Sequence, residues 1–404
     1  MKTRPFQSTI SLDDARAILR QTIVPLDRVE HVLLTHANHR VLARDVVSGA
    51  DVPSFARAAM DGYAVRAADT SGASADAPCV LRCIEEIFTG QVPLQTVGPG
   101  ECSAVATGAP MPAGADAVIM VEESRPDPDG RIRFVADAQP GQNVGRQGAD
   151  IQKGQTVLET GTVLNASRVG ALAALGLTGI EVFDQPRVAI LSTGDEIVDP
   201  GQPLPPGQIY DINRFTLAAV IADNGGVPVP HRSAADTIED LSRAVDDCLE
   251  EDVLVFSGGS SVGERDLILD IIAARGEMLF HGIAVKPGKP TAFGRIGSKL
   301  VFGMPGYPTS CLSNAYILLA PALRQLAHLP APNVNSVILP LASRISSVPG
   351  RHQFYSVRIQ DGQAVPAFKA SGDITSMSRA DGYIEIPAAS EAVAAGTFVE
   401  VKLF

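Results

Sequence analysis

The 404-residue chain carries a net charge of −12 and no Lys/Arg run, which argues against a nucleic-acid coat. It is 45% hydrophobic and 19% charged, as in ordinary globular proteins, and long enough for roughly two to four domains. Trp is absent and aromatic residues make up only 5%, so stacking platforms for nucleobases are not expected.

Five cysteines (Cys79, Cys83, Cys102, Cys248 and Cys311) are an odd number without a C-x-x-C pair; they do not read as a disulfide framework and fit a reducing cytoplasm. The N-terminal stretch MKTRPFQSTISLDD has no apolar centre, so no signal peptide is expected. No apolar run approaches the ~20 residues of a membrane span.

Residues 11–20, SLDDARAILR, predict a short amphipathic helix. Ser11 and Asp14 form a capping box, and Leu12, Ala15, Ile18 and Leu19 share one face. Residues 28–48 are less periodic and read as a solvated helix-loop; His31, His36 and His39 lie there without the Cys or carboxylate pair of a metal set. From Asp51, short β-like runs (YAVRA, CVLRCIEEIF, AVIMVEE, RIRFVADA) alternate with Gly/Pro turns and predict a β-rich domain over 50–140. Asn165 caps a helix from Ala166 to Leu175, stopped by Gly176.

From Pro186 the pattern becomes strand–helix–strand. RVAILSTG, VLVF, EMLFHGI and KLVFGM read as strands; Phe215 to Asp223, a segment capped by Thr237 and Asp240, and Thr309 to Leu326 read as helices. This alternation implies an α/β domain around a doubly wound, mostly parallel sheet, which binds ligands at the carboxyl ends of its strands. Residues 192–196, 257–266 and 303–310 fall at such ends. After Pro330 helices give way to SVILPLASRI, QFYSVRI, YIEIPA and FVEVKLF, a small barrel-like β domain.

The stretch from Val253 to Gly294 concentrates the chemistry. Ser257-Gly258-Gly259-Ser260-Ser261-Val262-Gly263 offers bare N–H groups and hydroxyls at a strand-to-helix turn, which suits an anion such as phosphate. Glu264 stands where a P-loop NTPase has Lys, so that reading fails. Asp266 follows, and Lys286 and Lys289 sit in a Pro/Gly-stiffened turn that suits oxyanion contact. Ser192-Thr193-Gly194-Asp195-Glu196 ends another strand. Asp195 reads as a helix cap or first-turn acid, or else the two acids serve Mg²⁺, which takes one or two carboxylates plus substrate phosphates. Asp236 sits where a helix N-cap is expected. No Ser/His/Asp or Cys/His set supports covalent catalysis.

Eight islands in sequence (AMDGYAV at 59–65, TGAPMPAGADAV at 107–118, STGDE at 192–196, GQIYDINR at 207–214, SGGSSVGERD at 257–266, KPGKP at 286–290, PGYPTS at 305–310 and SGDITSM at 371–377) resemble the molybdopterin molybdenumtransferases, to which the C-terminal domain of gephyrin also belongs. The resemblance spans essentially the whole chain. It implies insertion of molybdate into adenylylated molybdopterin with release of AMP, assisted by Mg²⁺. It also implies an elongated cytoplasmic homodimer with the active site shared between subunits, and contacts with a molybdopterin adenylyltransferase and with cofactor-accepting molybdoenzymes. Neither membrane nor nucleic acid is an expected partner. By resemblance, the catalytic set is Asp61, Thr107, Asp150, Glu196, Asp236, Asp266, Lys286 and Lys289, with Glu196 and Asp266 holding metal. Substrate contacts fall on Ser192, Thr193, Gly194, Asp195, Tyr210, Asn213, Ser257, Gly258, Gly259, Ser260, Ser261, Gly263, Pro305, Gly306, Ser310, Arg351 and Ser371.

The chain departs from the family pattern at Ala56, Ala58 and Tyr307, where Asp, Ser and Asn are common. The expected domains are 1–49 with 141–183, 50–140, 184–330 and 331–404. Two alternatives remain: nucleotidyl transfer like that of the adenylyltransferases, which share the central sheet, and a non-catalytic scaffold or cofactor-carrier paralogue.

Overall fold

The computed structural model describes residues 9–231, 237–258, 267–332 and 335–404. The chain divides into two compact units, one formed by His31–Asn38 and Leu42–Glu181, the other by Met1–Glu30, His39–Val41 and Val182–Phe404.

The first helix, α1 (Leu12–Thr22), starts as its sequence dictates. Ser11 accepts the Asp14 N–H at 3.0 Å, and Leu12, Ala15 and Leu19 are buried on one face. The predicted helix-loop at 28–48 is corrected. Val29–Leu33 is an extended strand, and Leu34 donates its N–H to Thr178 O at 3.0 Å. Pairing with the distant strand Gly179–Phe183 outweighs the weak helical spacing.

In the 31–181 unit six strands lie side by side: β1 (Gly62–Val65), β2 (Cys79–Ile87), β3 (Glu101–Val105), β4 (Ala117–Met120), β5 (Ser124–Pro126) and β6 (Arg131–Phe134), in the order β4-β1-β3-β2-β6-β5. Only β2 and β3 run parallel. The strand period of two sends alternate residues to two apolar clusters, one around Val65, Ile119 and Phe134, the other around Ala64, Ile87 and Val118. A helix, α2 (Ala166–Ala174), is capped by Asn165 and stopped before Gly176, as its sequence predicts.

The other unit holds the strand–helix alternation. Its central sheet contains β7 (Arg187–Ser192), β8 (Val227–Pro230), β9 (Val253–Ser257), β10 (Glu277–His281), β12 (Ala292–Ile296) and β13 (Lys299–Met304), ordered β8-β7-β9-β13-β12-β10. Four neighbouring strands are parallel; β12 and β10 form an antiparallel edge. Helices cover both faces. Val188, Ile190, Val253 and Val255 pack with α1, α3 (Asn213–Asp223) and the helical segment 308–326. Ala189, Leu191, Leu254 and Phe256 pack with α4 (Ile238–Cys248) and α5 (Leu267–Arg275). α3 starts two residues earlier than predicted, at Asn213. The last helix is interrupted: α6 (Pro308–Asn314) widens to a π-helical stretch at Ala315–Leu319 before α7 (Ala320–Leu326). Pro321 lacks an N–H and crowds the carbonyl four residues earlier, so the ladder must widen there.

The C-terminal sheet contains β11 (Val285–Lys286), β14 (Ser336–Pro340), β15 (His352–Gln360), β16 (Gln363–Pro366), β17 (Gly382–Ile386) and β18 (Phe398–Leu403). Its strands run β11-β15-β17-β18-β14, with β16 also on β15. A Leu341–Ala364 bridge joins the end of β14 to β16, which closes the sheet on itself around Val357, Ile384 and Val401. One helical turn, Thr375–Ser378, interrupts this all-β stretch.

Glu385, with its side chain 18% exposed, knots β15, β17 and β18 together. Burial pushes its carboxyl up, but His352 Nε2 at 2.9 Å and Lys402 Nζ at 2.7 Å outweigh that and hold it at about 2, below its ordinary 4.5. The knot therefore stabilises the fold above pH 4.5, and this contribution is lost as pH falls towards 2. It amounts to about 3 kcal/mol at most. Denaturant titrations between about pH 6 and about pH 2.5 should show Glu385→Gln flattening the acid limb of stability; an unchanged limb would assign the acid sensitivity elsewhere.

Candidate functional site

Three parallel strands end level. Ser192 pairs in register with Ser257, and Ser257 with Met304. Beyond them the backbone stays knitted: Thr193 donates to Ser257 O at 3.0 Å, and Gly258 to Met304 O at 3.4 Å. Ser192, Thr193 and Ser257 are almost fully buried, at 2%, 2% and 4% exposure. Asn213, the first residue of α3, reaches across with its Nδ2 to donate to Ser257 Oγ at 2.7 Å and Gly306 O at 2.8 Å. Ser192 Oγ, Thr193 Oγ1 and Asn213 Oδ1 are buried without a hydrogen-bond partner among the described residues. A row of unspent hydroxyl and amide groups at strand carboxyl ends is prepared for a polar ligand.

Glu196 lies at the mouth of this row, exposed, its carboxylate against Gly194. Asp195 does not cap a helix, which corrects one of its two readings. The chain runs on into a two-residue strand, Ile197–Val198, paired with Ile209–Tyr210, and the next helix waits until Asn213. Asp211, 3% exposed, accepts the Arg214 N–H at 3.0 Å and so starts α3. Tyr210 turns its hydroxyl to Gln202 O at 3.0 Å.

The Lys286–Lys289 turn leaves from β11, and β11 belongs to the C-terminal sheet: Val285 pairs with His352 and Lys286 with Gln353. Arg351 immediately precedes that pairing. The C-terminal sheet also reaches the strand ends through its 371–373 loop, since Thr309 donates its N–H to Ser371 O and its hydroxyl to Asp373 O, both at 3.0 Å. Pro305 and Ser310 are buried beside this joint, and Tyr307 projects from it, 68% exposed.

In the 31–181 unit, Asp61 accepts two hydrogen bonds from Thr107, one from the backbone N–H at 2.6 Å and one from the hydroxyl at 2.9 Å. The backbone bond and then the hydroxyl bond hold its carboxyl below the ordinary 3.8. Asp150 stands on a separate loop, exposed, its N–H on Val52 O at 3.1 Å. Ala58 is 1% exposed and its backbone clasps the Thr107 loop: its N–H donates to Ala109 O at 2.9 Å and its carbonyl accepts from Gly108 at 2.8 Å.

This geometry belongs to a chain whose segments match three family models: "MoeA N-terminal region (domain I and II)" over residues 10–176, "Probable molybdopterin binding domain" over 189–325 and "MoeA C-terminal region (domain IV)" over 339–404. "Molybdopterin molybdenumtransferase 2" of Mycobacterium tuberculosis is 36% identical over 384 residues, 92% of this chain and 94% of that protein. The chain belongs to the molybdopterin molybdenumtransferase family. "Molybdopterin molybdenumtransferase" of Haemophilus influenzae is 36% identical over 319 residues, 78% of each chain. A crystal structure of a "molybdopterin biosynthesis moea protein" from a Pyrococcus species superposes with a TM-score of 0.86 at 39% identity, over 98% of this chain and 99% of that one.

Among the residues expected in a transferase site, the structure therefore gathers Ser192, Thr193, Ser257 and Asn213 at one edge, with Gly258 and Gly306 beside them. It pairs Asp61 with Thr107 and leaves Asp150 on its own loop. Asp236, Gly259, Ser260, Ser261, Gly263 and Asp266 lie outside the described residues. Two buried residues went unnoticed in the sequence: Asn314 and Thr291, each 0% exposed. Asn314 had a signal, an amide inside the apolar run LSNAYILLAP. Among the described residues no helix is long and apolar enough to cross a membrane, and all five cysteines are free thiols.

Gly258 is the tightest point of the edge. Its φ is +102°, and an added Cβ would fall 2.4 Å from Thr193 O. Gly258→Ala is expected to cost about 2–4 kcal/mol, from strain and from prising two strand ends apart. Chemical denaturation checks this, and a loss below about 0.5 kcal/mol would mean that the edge yields freely.

Proposed function

We propose that the chain is a molybdopterin molybdenumtransferase that takes adenylylated molybdopterin and molybdate, joins the oxyanion to the dithiolene and releases AMP. The observation that carries this reading is the level, buried end of β7 and β9, where Ser192 Oγ and Thr193 Oγ1 have no hydrogen-bond partner among the described residues and Asn213 ties Ser257 to the 305–310 loop. Its free hydroxyls, Ser192 Oγ and Thr193 Oγ1, supply O–H donors for a substrate rich in phosphate oxygens. The printed names of the relatives support the same reaction. The matches over 10–176 and 339–404 favour it over a lone adenylyltransferase sheet.

In this reading Lys286 and Lys289 neutralise molybdate and phosphate charge, from a turn fixed by β11 and β15. Ser192, Thr193, Ser257 and Gly258 would line the pyrophosphate, and Gly259, Ser260, Ser261 and Gly263, which lie outside the described residues, are proposed as further substrate contacts. Asp61, held as a carboxylate by Thr107, together with Thr107 and Asp150 would belong to the wall contributed by the other subunit of a dimer. Arg351, Ser371, Pro305, Gly306, Ser310, Tyr210 and Asp195 border it, and Asp236 joins the acidic set. Among the described residues no three His, Cys, Asp or Glu side chains cluster as a cage. Mg²⁺ needs one or two carboxylates and otherwise takes phosphate and water oxygens. Glu196 and Asp266 would hold Mg²⁺, which would supply positive charge to the phosphoanhydride.

We further propose a cytoplasmic homodimer in which 50–140 of one subunit faces 184–330 of the other. The proposed domains are 1–49 with 141–183, 50–140, 184–330 and 331–404. A molybdopterin adenylyltransferase and molybdoenzymes would be transient partners.

The test mixes purified protein with adenylylated molybdopterin, Mg²⁺ and molybdate. AMP release that depends on molybdate is expected; ATP consumption or molybdate-independent release would overturn the reading. Lys286→Ala should raise the KM for molybdate at least tenfold, about 1.4 kcal/mol of lost contact. An unchanged KM would remove Lys286 from oxyanion binding.

A further inference from the structure

The lysine turn is built around a residue that carries no charge. Asn314, 0% exposed at the end of α6, uses both of its amide hydrogens on that turn. One goes to Gly288 O at 2.8 Å, the other to Thr291 Oγ1. Thr291, equally buried, passes its own hydrogen to Gly288 O at 2.9 Å. The Gly288 carbonyl thus accepts two donors in a closed three-membered circuit. Gly288 has φ +99°, and an added Cβ would fall 2.3 Å from Asn314 Nδ2, so amide and glycine occupy mutually fitted space.

The ends of the turn are held by backbone. Lys286 pairs with Gln353 on one side, and Lys289 O accepts from Ile283 N at 3.0 Å and Thr291 N at 2.9 Å on the other. Between these anchors, the peptide linking the two lysines has the Asn314–Thr291 circuit as its side-chain support among the described residues. A buried carbonyl stripped of such donors is left with an uncompensated desolvation penalty and would turn to find others, taking the neighbouring Cα–Cβ bonds with it.

We propose that Asn314 is a positioning residue for oxyanion capture: through Gly288 O it sets the spacing and direction of the Lys286 and Lys289 side chains. This rests on reading those lysines as the oxyanion contacts. Asn314 itself touches no substrate. It couples α6, which starts just beyond β13, to a turn that starts on the C-terminal sheet, so the helix and the lysine turn share one fixed point.

The experiment compares Asn314→Leu, close in volume but unable to donate, with Thr291→Val and Lys286→Ala. AMP release is followed against molybdate concentration, alongside thermal melting. Asn314→Leu should raise the KM for molybdate about tenfold and leave kcat at saturating molybdate within about twofold. Thr291→Val should give a smaller rise in the same direction. If Lys286→Ala raises KM while folded Asn314→Leu does not, the positioning role is overturned and the lysine reading stands. If neither changes KM, the lysine reading fails and the proposal falls with it. A lowered kcat with unchanged KM marks a merely structural residue and also overturns the proposal. Should Asn314→Leu fail to fold, Thr291→Val is judged by the same criteria.

Discussion

Burying polar groups at the ends of a parallel sheet creates a debt of hydrogen bonds that the ladder itself cannot settle, because the strands stop there. In this chain β7, β9 and β13 stop level, and a single amide, Asn213, crosses from α3 to satisfy Ser257 Oγ and Gly306 O together. Everything near the edge is referred to that crossing. α3 begins there because Asp211 receives the Arg214 N–H, and the 305–310 loop is pinned there through Gly306. Ser192 Oγ and Thr193 Oγ1 are left over, buried and without hydrogen bonds among the described residues. Groups left over beside satisfied ones are where a ligand gains most, since binding removes an existing desolvation penalty.

The C-terminal sheet is part of the same frame. Its edge strand β11 leads directly into the lysine turn, and its 371–373 loop receives the N–H and hydroxyl of Thr309 at the start of α6. In the proposed site the central sheet would contribute neutral O–H donors and the C-terminal sheet the cations Lys286 and Lys289. A site divided in this way can change its charge without disturbing its hydrogen-bond floor, because the two sets are carried by different sheets.

Much of this was legible in the sequence, for definite reasons. The caps at Ser11, Asn165 and Thr237 are local and were readable from three or four residues. The alternation of apolar runs from Pro186 fixed a parallel sheet with its loops at the carboxyl ends. What escaped depended on partners distant in sequence. Val29–Leu33 is extended through tertiary pairing, and the π-helical stretch at Ala315–Leu319 follows from Pro321 acting backwards along the helix. Asp195 read as a helix cap because an acid after a strand often is one; here the following residues pair with Ile209–Tyr210 instead. Asn314 was hidden by its surroundings. Set in an apolar helix, it makes its contacts about 25 residues upstream, at Gly288 and Thr291.

The three departures from the family pattern sit where backbone, rather than side chain, does the holding. Ala58 keeps the Thr107 loop in place through its own N–H and carbonyl, while its methyl fills a small cluster with Ala64, Ile87 and Val118. Asp61 and Thr107 therefore meet at 2.6 and 2.9 Å without help from a hydroxyl at position 58. Ala56 likewise contributes a carbonyl, which accepts the Met111 N–H at 2.9 Å. At Tyr307 the carbonyl accepts the Cys311 N–H at 2.9 Å, while Thr309 makes the bonds to the C-terminal sheet; the ring projects outward. The backbone hydrogen bonds at these three positions do not depend on the side chain, so these substitutions leave the hydrogen-bonded frame around each of them intact.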